Sequence, residues 1–212
     1  MILVLMGPPG AGKGTQGERL ATRLGIPKVA TGDVLRAALK AGTQLGLEAK
    51  RFMDAGDLVP DRVILGIMKE ALSAPDARNG AILDGVVRTE AQAEGLMGML
   101  AALQRPLSGV LVFDVDDAEL VKRLSGRTTC DVCQTPYTGR EPGTACPKHD
   151  GGTLVRRADD EPVAIRHRLE VYRMQTKPVI DWFERNKAIV VHVNAVGELD
   201  EVQARALKAL GT

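Results

Sequence analysis

Aromatic residues are scarce in this chain: one Trp, two Tyr and three Phe among 212 residues. Its core must therefore be built from Leu, Val, Ile, Ala and Met. An excess of either charge is missing too, since 28 Lys and Arg face 27 Asp and Glu for a net charge of +1. That balance excludes a basic footprint spread over the whole surface, and no nucleic-acid partner is expected. No apolar run approaches the roughly 18 residues of a membrane span, so no membrane association is expected either. Residues 1–6 are apolar but lack a basic segment and a cleavage site, and Gly7-Pro8-Pro9-Gly10 interrupts them at once. They do not read as a signal peptide, and a cytoplasmic protein is expected.

With 44% apolar and 26% charged residues, the composition is that of a globular chain long enough for one large core carrying small insertions. No apolar stripe demands an oligomer, and a monomer is expected. Cysteine is nearly absent as well. There are three, an odd number, all between positions 130 and 146. In a reducing compartment that clustering points to a metal and away from a disulfide.

Short apolar runs at 2–5, 81–83, 109–115 and 188–193 read as strands buried on both faces. Helical stretches are expected at 13–24, 34–41, 45–55, 61–71, 89–103, 117–125 and 199–210. Asp33 is the expected N-cap of the second, and Leu199, Val202, Ala206 and Leu210 the inner face of the last. Alternating strands and helices imply a three-layer α/β fold with a mainly parallel sheet. Residues 127–160 break this rhythm. They hold every Cys, one His (His149), many Gly and Pro, and no helical period. Such a segment reads as a small insert that needs a staple.

Gly7-Pro8-Pro9-Gly10-Ala11-Gly12-Lys13-Gly14-Thr15 is a phosphate loop between a strand and a helix. Backbone N–H groups free of side chains can wrap phosphate oxygens at the positive end of the helix, and Lys13 adds a point charge. Gly14 displaces the usual hydroxyl to Thr15. This pattern resembles the nucleoside monophosphate kinases, the adenylate kinase family in particular, and the resemblance extends over essentially the whole chain.

The resemblance implies a P-loop kinase fold with two inserts, a small helical AMP-binding one and a lid. It implies a core of residues 1–29, 60–125 and 161–212, an AMP-binding part at 30–59 and a lid at 126–160. The expected reaction is MgATP + AMP ⇌ 2 ADP, with Gly10 to Thr15 on ATP. Thr31 and Arg36, in Thr31-Gly32-Asp33-Val34-Leu35-Arg36, match residues on the adenine and phosphate of AMP. Asp57, Leu58 and Val59 match a backbone stretch lining its base. Asp84-Gly85-Val86-Val87-Arg88-Thr89, with Gln92 a turn later, matches a segment usually reading D-G-F-P-R-T…Q. There Asp84 would hold the magnesium water shell, Arg88 the AMP phosphate and Gln92 its adenine. Val86-Val87 replaces Phe-Pro and removes a rigid proline beside Arg88.

Phosphoryl transfer brings several negative phosphates together and needs fixed cations. Arg123, Arg127, Arg157 and Arg168 resemble the family's phosphate-binding arginines, and Asp159 and Asp160 its acidic pair. Arg156, Arg166 and Arg173 read as solvated. Tyr137 and Gly197 match positions near ATP. The insert resembles the family's long lid. Cys130-x2-Cys133 and Cys146-x2-His149 have the spacing of a Cys3His structural zinc site. Asp150 stands where the family places its fourth ligand, directly before Gly-Gly, so His149, Asp150 and a metal-free lid all remain open. A kinase of another nucleoside monophosphate is the nearest alternative; a nucleic-acid-binding zinc-ribbon ATPase or a non-catalytic nucleotide-binding module would be of a different class.

Overall fold

The computed structural model describes residues 1–211. Five strands form one parallel sheet: β1 (Ile2–Met6), β2 (Lys28–Ala30), β3 (Ala81–Asp84), β4 (Gly109–Asp114) and β8 (Val190–Asn194), in the order β2-β3-β1-β4-β8. Successive side chains of a strand point to opposite faces. Ile2, Val4 and Met6 accordingly join one apolar cluster with Leu83, Val110 and Phe183, while Leu3 and Leu5 join another with Ile82, Leu111 and Phe113. Burial on both faces explains why these strands read as continuous apolar runs.

The first helices are α1 (Lys13–Leu24), α2 (Thr31–Lys40), α3 (Gln44–Ala55), α4 (Asp61–Ser73), α5 (Glu90–Ala102) and α6 (Asp117–Ser125). After the insert come α7 (Pro162–Val171) and α8 (Pro178–Arg185), joined by a π-helical turn at Tyr172–Thr176, and finally α9 (Leu199–Ala209). Thr43, Thr89 and Asp116 cap α3, α5 and α6 by accepting backbone N–H groups, as short polar side chains do at helix starts.

Two local expectations need correction. Helix α2 begins at Thr31 with Ala30 as its N-cap, and Asp33 lies inside the first turn. Its carboxylate binds Arg36 one turn on, so it serves as an ion-pair partner there. On α9, Val202 and Ala206 are buried, but Leu199 is 53% exposed. As the first residue of the helix, it lies where the helical stripe has not yet reached the sheet.

The insert folds as a separate three-stranded antiparallel sheet, β6-β5-β7, from β5 (Arg127–Cys130), β6 (Pro136–Thr138) and β7 (Leu154–Val155). Its buried apolar core is only Cys130, Cys146 and Leu154. Among the described residues, no helix is long and apolar enough to cross a membrane.

Candidate active site

The phosphate loop leaves the carboxyl end of β1, the edge at which open parallel sheets bind ligands. Gly7 adopts φ +137°, and a Cβ there would lie 2.6 Å from the Phe113 carbonyl oxygen, so no other residue fits. Gly12 caps α1 in the left-handed region at φ +87°. The Lys13 ammonium donates to the carbonyls of Gly7 at 2.7 Å and Pro8 at 2.9 Å. Burial brings its pKa down to about 8; Asp84 opposes the shift, while Arg88, Arg168 and Arg127 add to it.

Asp84 ends β3. Burial raises its pKa against the pull of Lys13 and Lys28. Its Oδ2 lies so close to α1 that a Cβ on Gly14 would be 3.4 Å away. Lys28 escaped notice in the sequence, where it looks like one lysine among many. Its ammonium sits 3.3 Å from Glu18 and 3.8 Å from Asp33, and it donates to the Gly14 carbonyl at 3.4 Å.

On the other side of Asp84, the buried Thr31 hydroxyl donates to the Gly85 carbonyl at 2.9 Å. Val86 and Val87 are both buried in the core, so apolar packing anchors the loop where proline is missing. Arg88 is held locally as well. Its Nε donates to the Gly85 carbonyl at 3.1 Å and its N–H to Gln92 Oε1 at 2.8 Å. Gln92 is 1% exposed, and its Nε2 donates to Asp61 at 2.7 Å. Arg36 pairs with Asp33 and donates to Gln134 of the insert at 3.1 Å. Lys40 donates to the Asp131 carbonyl at 3.2 Å, so α2 and the insert meet across the cleft. Residues 56–59 face α7: a Cβ on Gly56 would lie 2.6 Å from Arg168 Cγ, and Asp57 is 2.6 Å from His167 Nε2.

Four expected arginines converge here. Arg127 forks onto the buried Asp160 at 2.7 and 2.5 Å, and Arg168 reaches Asp159 and Asp160 at 3.0 Å each. Arg157 has its pKa lowered to about 9 by burial, then by Arg36 and Arg127, and its Nε is buried with no hydrogen-bond partner among the described residues. Arg88 is exposed at the cleft surface, yet desolvation by the surrounding groups first, and then Arg168, lower its pKa. Arg123 stands apart, bound to Glu119 at 2.8 Å and to the Ala195 carbonyl at 3.1 Å. That contact puts it beside the 195–197 loop, where Gly197 adopts φ +118°. Arg156, Arg166 and Arg173 are exposed.

In the insert, the Cys130, Cys133 and Cys146 sulfurs lie within 4.8 Å of one another. The N–H groups of Val132 and Cys133 donate to Cys130 Sγ at 3.4 Å each. A Cβ on Gly152 would lie 2.5 Å from that sulfur. Burial alone would raise the Cys146 thiol; hydrogen bonds from the Tyr137 hydroxyl and the Lys148 N–H outweigh it and bring it to about 6. Three gathered sulfurs, one favoured as thiolate, suit a thiophilic cation such as zinc. His149 does not join them. It is exposed, with Nδ1 2.7 Å from the Asp150 carbonyl oxygen. Tyr137, expected towards ATP, has its hydroxyl 3.5 Å from Cys146 Sγ.

Known proteins match this chain in sequence along nearly their whole length. The adenylate kinase family model matches residues 5–188. The chain is 68% identical over 211 residues to an adenylate kinase of Gemmatimonas aurantiaca, covering 99% of both chains. It is 50% identical to one of Thermodesulfovibrio yellowstonii, covering 95% of both, and 46% identical to one of Bacillus subtilis, covering 100% of this chain and 98% of that one. The chain belongs to the adenylate kinase family. It is a phosphotransferase of nucleoside monophosphates, and the family's reaction is reversible phosphoryl transfer between ATP and AMP. Asp61, which holds the Gln92 side chain, was given no role in the sequence. A carboxylate 31 residues from its partner has no local signal beyond its place after Pro60 at a helix start.

Proposed function

We propose that the cleft binds MgATP on the phosphate-loop side and AMP against α2 and the 84–92 loop, and interconverts them with two ADP by positioning and charge alone. The observation that carries this reading is the convergence of Lys13, Arg36, Arg88, Arg127, Arg157 and Arg168: desolvation first, and then the neighbouring cations, lower the pKa values of Lys13, Arg88, Arg157 and Arg168. Only a few carboxylates offset them. Such a cluster is costly alone and is stabilised by polyphosphate.

On this reading the Gly10, Ala11, Gly12, Lys13, Gly14 and Thr15 backbone cradles the ATP phosphates, and Lys13 neutralises the leaving side. Arg127, Arg157 and Arg168 hold the transferred group, while Arg36 and Arg88 hold the AMP phosphate. Gln92, Thr31 and the backbones of 57–59 and 85–87 surround the acceptor base. Arg123, Gly197 and the ring of Tyr137 flank the donor base. Asp84 would hold the water shell of Mg2+, which supplies charge neutralisation on the phosphates when bound. No side chain need act as nucleophile or base. Closing of residues 126–160 excludes water, which would otherwise accept the phosphoryl group.

Cys130, Cys133 and Cys146 would hold a structural Zn2+, with His149 turning in as fourth ligand and Asp150 the neighbouring alternative. The working units are then a core of 1–29, 60–125 and 161–212, an AMP-binding part at 30–59 and a lid at 126–160, in a monomeric cytoplasmic enzyme. A coupled assay of ADP formation with AMP, CMP, UMP and GMP as acceptors tests the reading. AMP should be preferred clearly; equal turnover with a pyrimidine nucleotide would overturn the adenine assignment.

A further inference from the structure

Gln92 has a side-chain amide with two N–H donors and an oxygen with two lone pairs. Half of that capacity is already used. One N–H goes to Asp61 Oδ1 at 2.7 Å, and Oε1 accepts the Arg88 N–H at 2.8 Å. One N–H and one lone pair remain, side by side, in an order set by these two contacts. Turning the amide by half a revolution would press its oxygen against the Asp61 carboxylate and its nitrogen against the Arg88 N–H. Both contacts would become repulsive, the first more strongly because the carboxylate is charged.

The order of the free donor and acceptor decides which purine edge fits. A 6-aminopurine offers a donor at its C6 substituent and an acceptor at N1. A 6-oxopurine offers the reverse. An amide held in one orientation matches the first and opposes the second, leaving buried polar groups unpaired in the mismatch.

Asp61 has the geometry to impose this. It is the first residue of α4, and the same Oδ1 accepts the Thr89 hydroxyl at 3.1 Å. With its hydrogen so directed, Thr89 Oγ1 accepts the Gln92 backbone N–H at 3.1 Å and caps α5. One carboxylate thus fixes both the amide and the first turn of the helix that carries it. We propose that Asp61 is a positioning residue for acceptor choice, locking the Gln92 amide so that the site takes a 6-aminopurine monophosphate over a 6-oxopurine one. The proposal rests on the reading of Gln92 as a residue facing the acceptor base.

Steady-state kinetics with AMP and with inosine monophosphate as acceptors test it. In Asp61→Ala, the ratio of kcat/KM for AMP to that for inosine monophosphate should fall by about tenfold or more. The KM for AMP should rise, with kcat and the KM for ATP little changed. Asp61→Asn keeps an acceptor oxygen and should restore most of the discrimination. If alanine gives little folded protein, Asp61→Ser suits a helix start yet is too short to reach the amide, and should behave as alanine does. A lower melting temperature with an unchanged ratio would overturn the proposal, leaving Asp61 as a helix-start acid. Gln92→Ala separates the two levels of inference. A ratio that falls in Gln92→Ala but not in Asp61→Ala defeats the proposal alone, whereas a ratio unmoved in both overturns the reading of Gln92 and the proposal with it.

Discussion

In the parallel sheet, strands such as β1 are buried along their full length on both faces, and Phe183 packs with no exposed surface against one of them. In the insert of residues 127–160, the buried apolar core shrinks to Cys130, Cys146 and Leu154. The first region is held by area removed from water, which scales with the number of apolar side chains. The second has too few, and substitutes a knot of sulfurs and hydrogen bonds. Two regions of one chain therefore have different vulnerabilities. Changes that remove apolar volume should act on the sheet, and changes that remove sulfur chemistry on the insert.

The largest expected effect is on the sheet. Phe183→Ala should cost about 3–5 kcal/mol by leaving a cavity in a packed core, read as a lowered midpoint in a urea titration that unfolds sheet and insert together. Leu154→Ala, by contrast, should speed amide exchange in β5–β7 while the urea midpoint followed at Trp182 stays near that of the unaltered protein. Equal losses from both would erase the distinction.

Next comes Lys13, a half-buried charge in the sheet region that apolar packing does not favour. Lys13→Met should lower phosphoryl transfer by at least ~10²-fold, about 2.7 kcal/mol of transition-state stabilisation. The melting temperature should hold or rise, since the desolvated ammonium is gone. Loss of stability with retained turnover would reverse the assignment of this residue to chemistry.

Stripping metal from the insert should have a smaller effect. Protein purified without chelator is expected to carry about one zinc per chain, lost in Cys130→Ser and weakened in His149→Ala. Its removal should lower turnover about tenfold by misplacing Arg127 and Arg157, and leave the sheet folded. Weakening only in Asp150→Ala would move the fourth ligand by one residue, and no bound metal at all would remove zinc from the account.

The smallest effect is on pH dependence. Lys13 has its pKa lowered from 10.5 to about 8, so half of its charge in the free enzyme is gone at that pH. kcat/KM for ATP should halve there and fall about tenfold per further unit, whereas kcat, set in the complex, should hold longer because bound phosphate favours the ammonium. Stability moves the opposite way. Between about pH 8 and 10.5 the folded chain has released a proton that the unfolded chain keeps, so this group makes the fold more stable as pH rises. A kcat/KM profile flat to pH 10 would contradict the lowered pKa of Lys13.

Much of this was legible from residue order. The bounds of α1 and α6 agree with those expected from helical spacing and flanking stop signals, because capping and periodicity are local. The strands of the insert were not legible, since Arg127–Cys130 has no apolar alternation and its partners, β6 and β7, come from further along the chain. Leu199 misled because a helical stripe says which residues share a face but not where the neighbour ends.

Residue order by itself determined the phosphate loop, the parallel α/β class and the sulfur cluster, all of which follow from the order and spacing of residue types along the chain. Tertiary structure alone decided that Arg123 leaves the arginine cluster for Glu119 and Ala195, that His149 stays outside the three sulfurs, and that Asp61 grips Gln92 across 31 residues. These are side-chain contacts between elements distant in sequence, and their partners are chosen by how the elements pack, which local propensity does not encode.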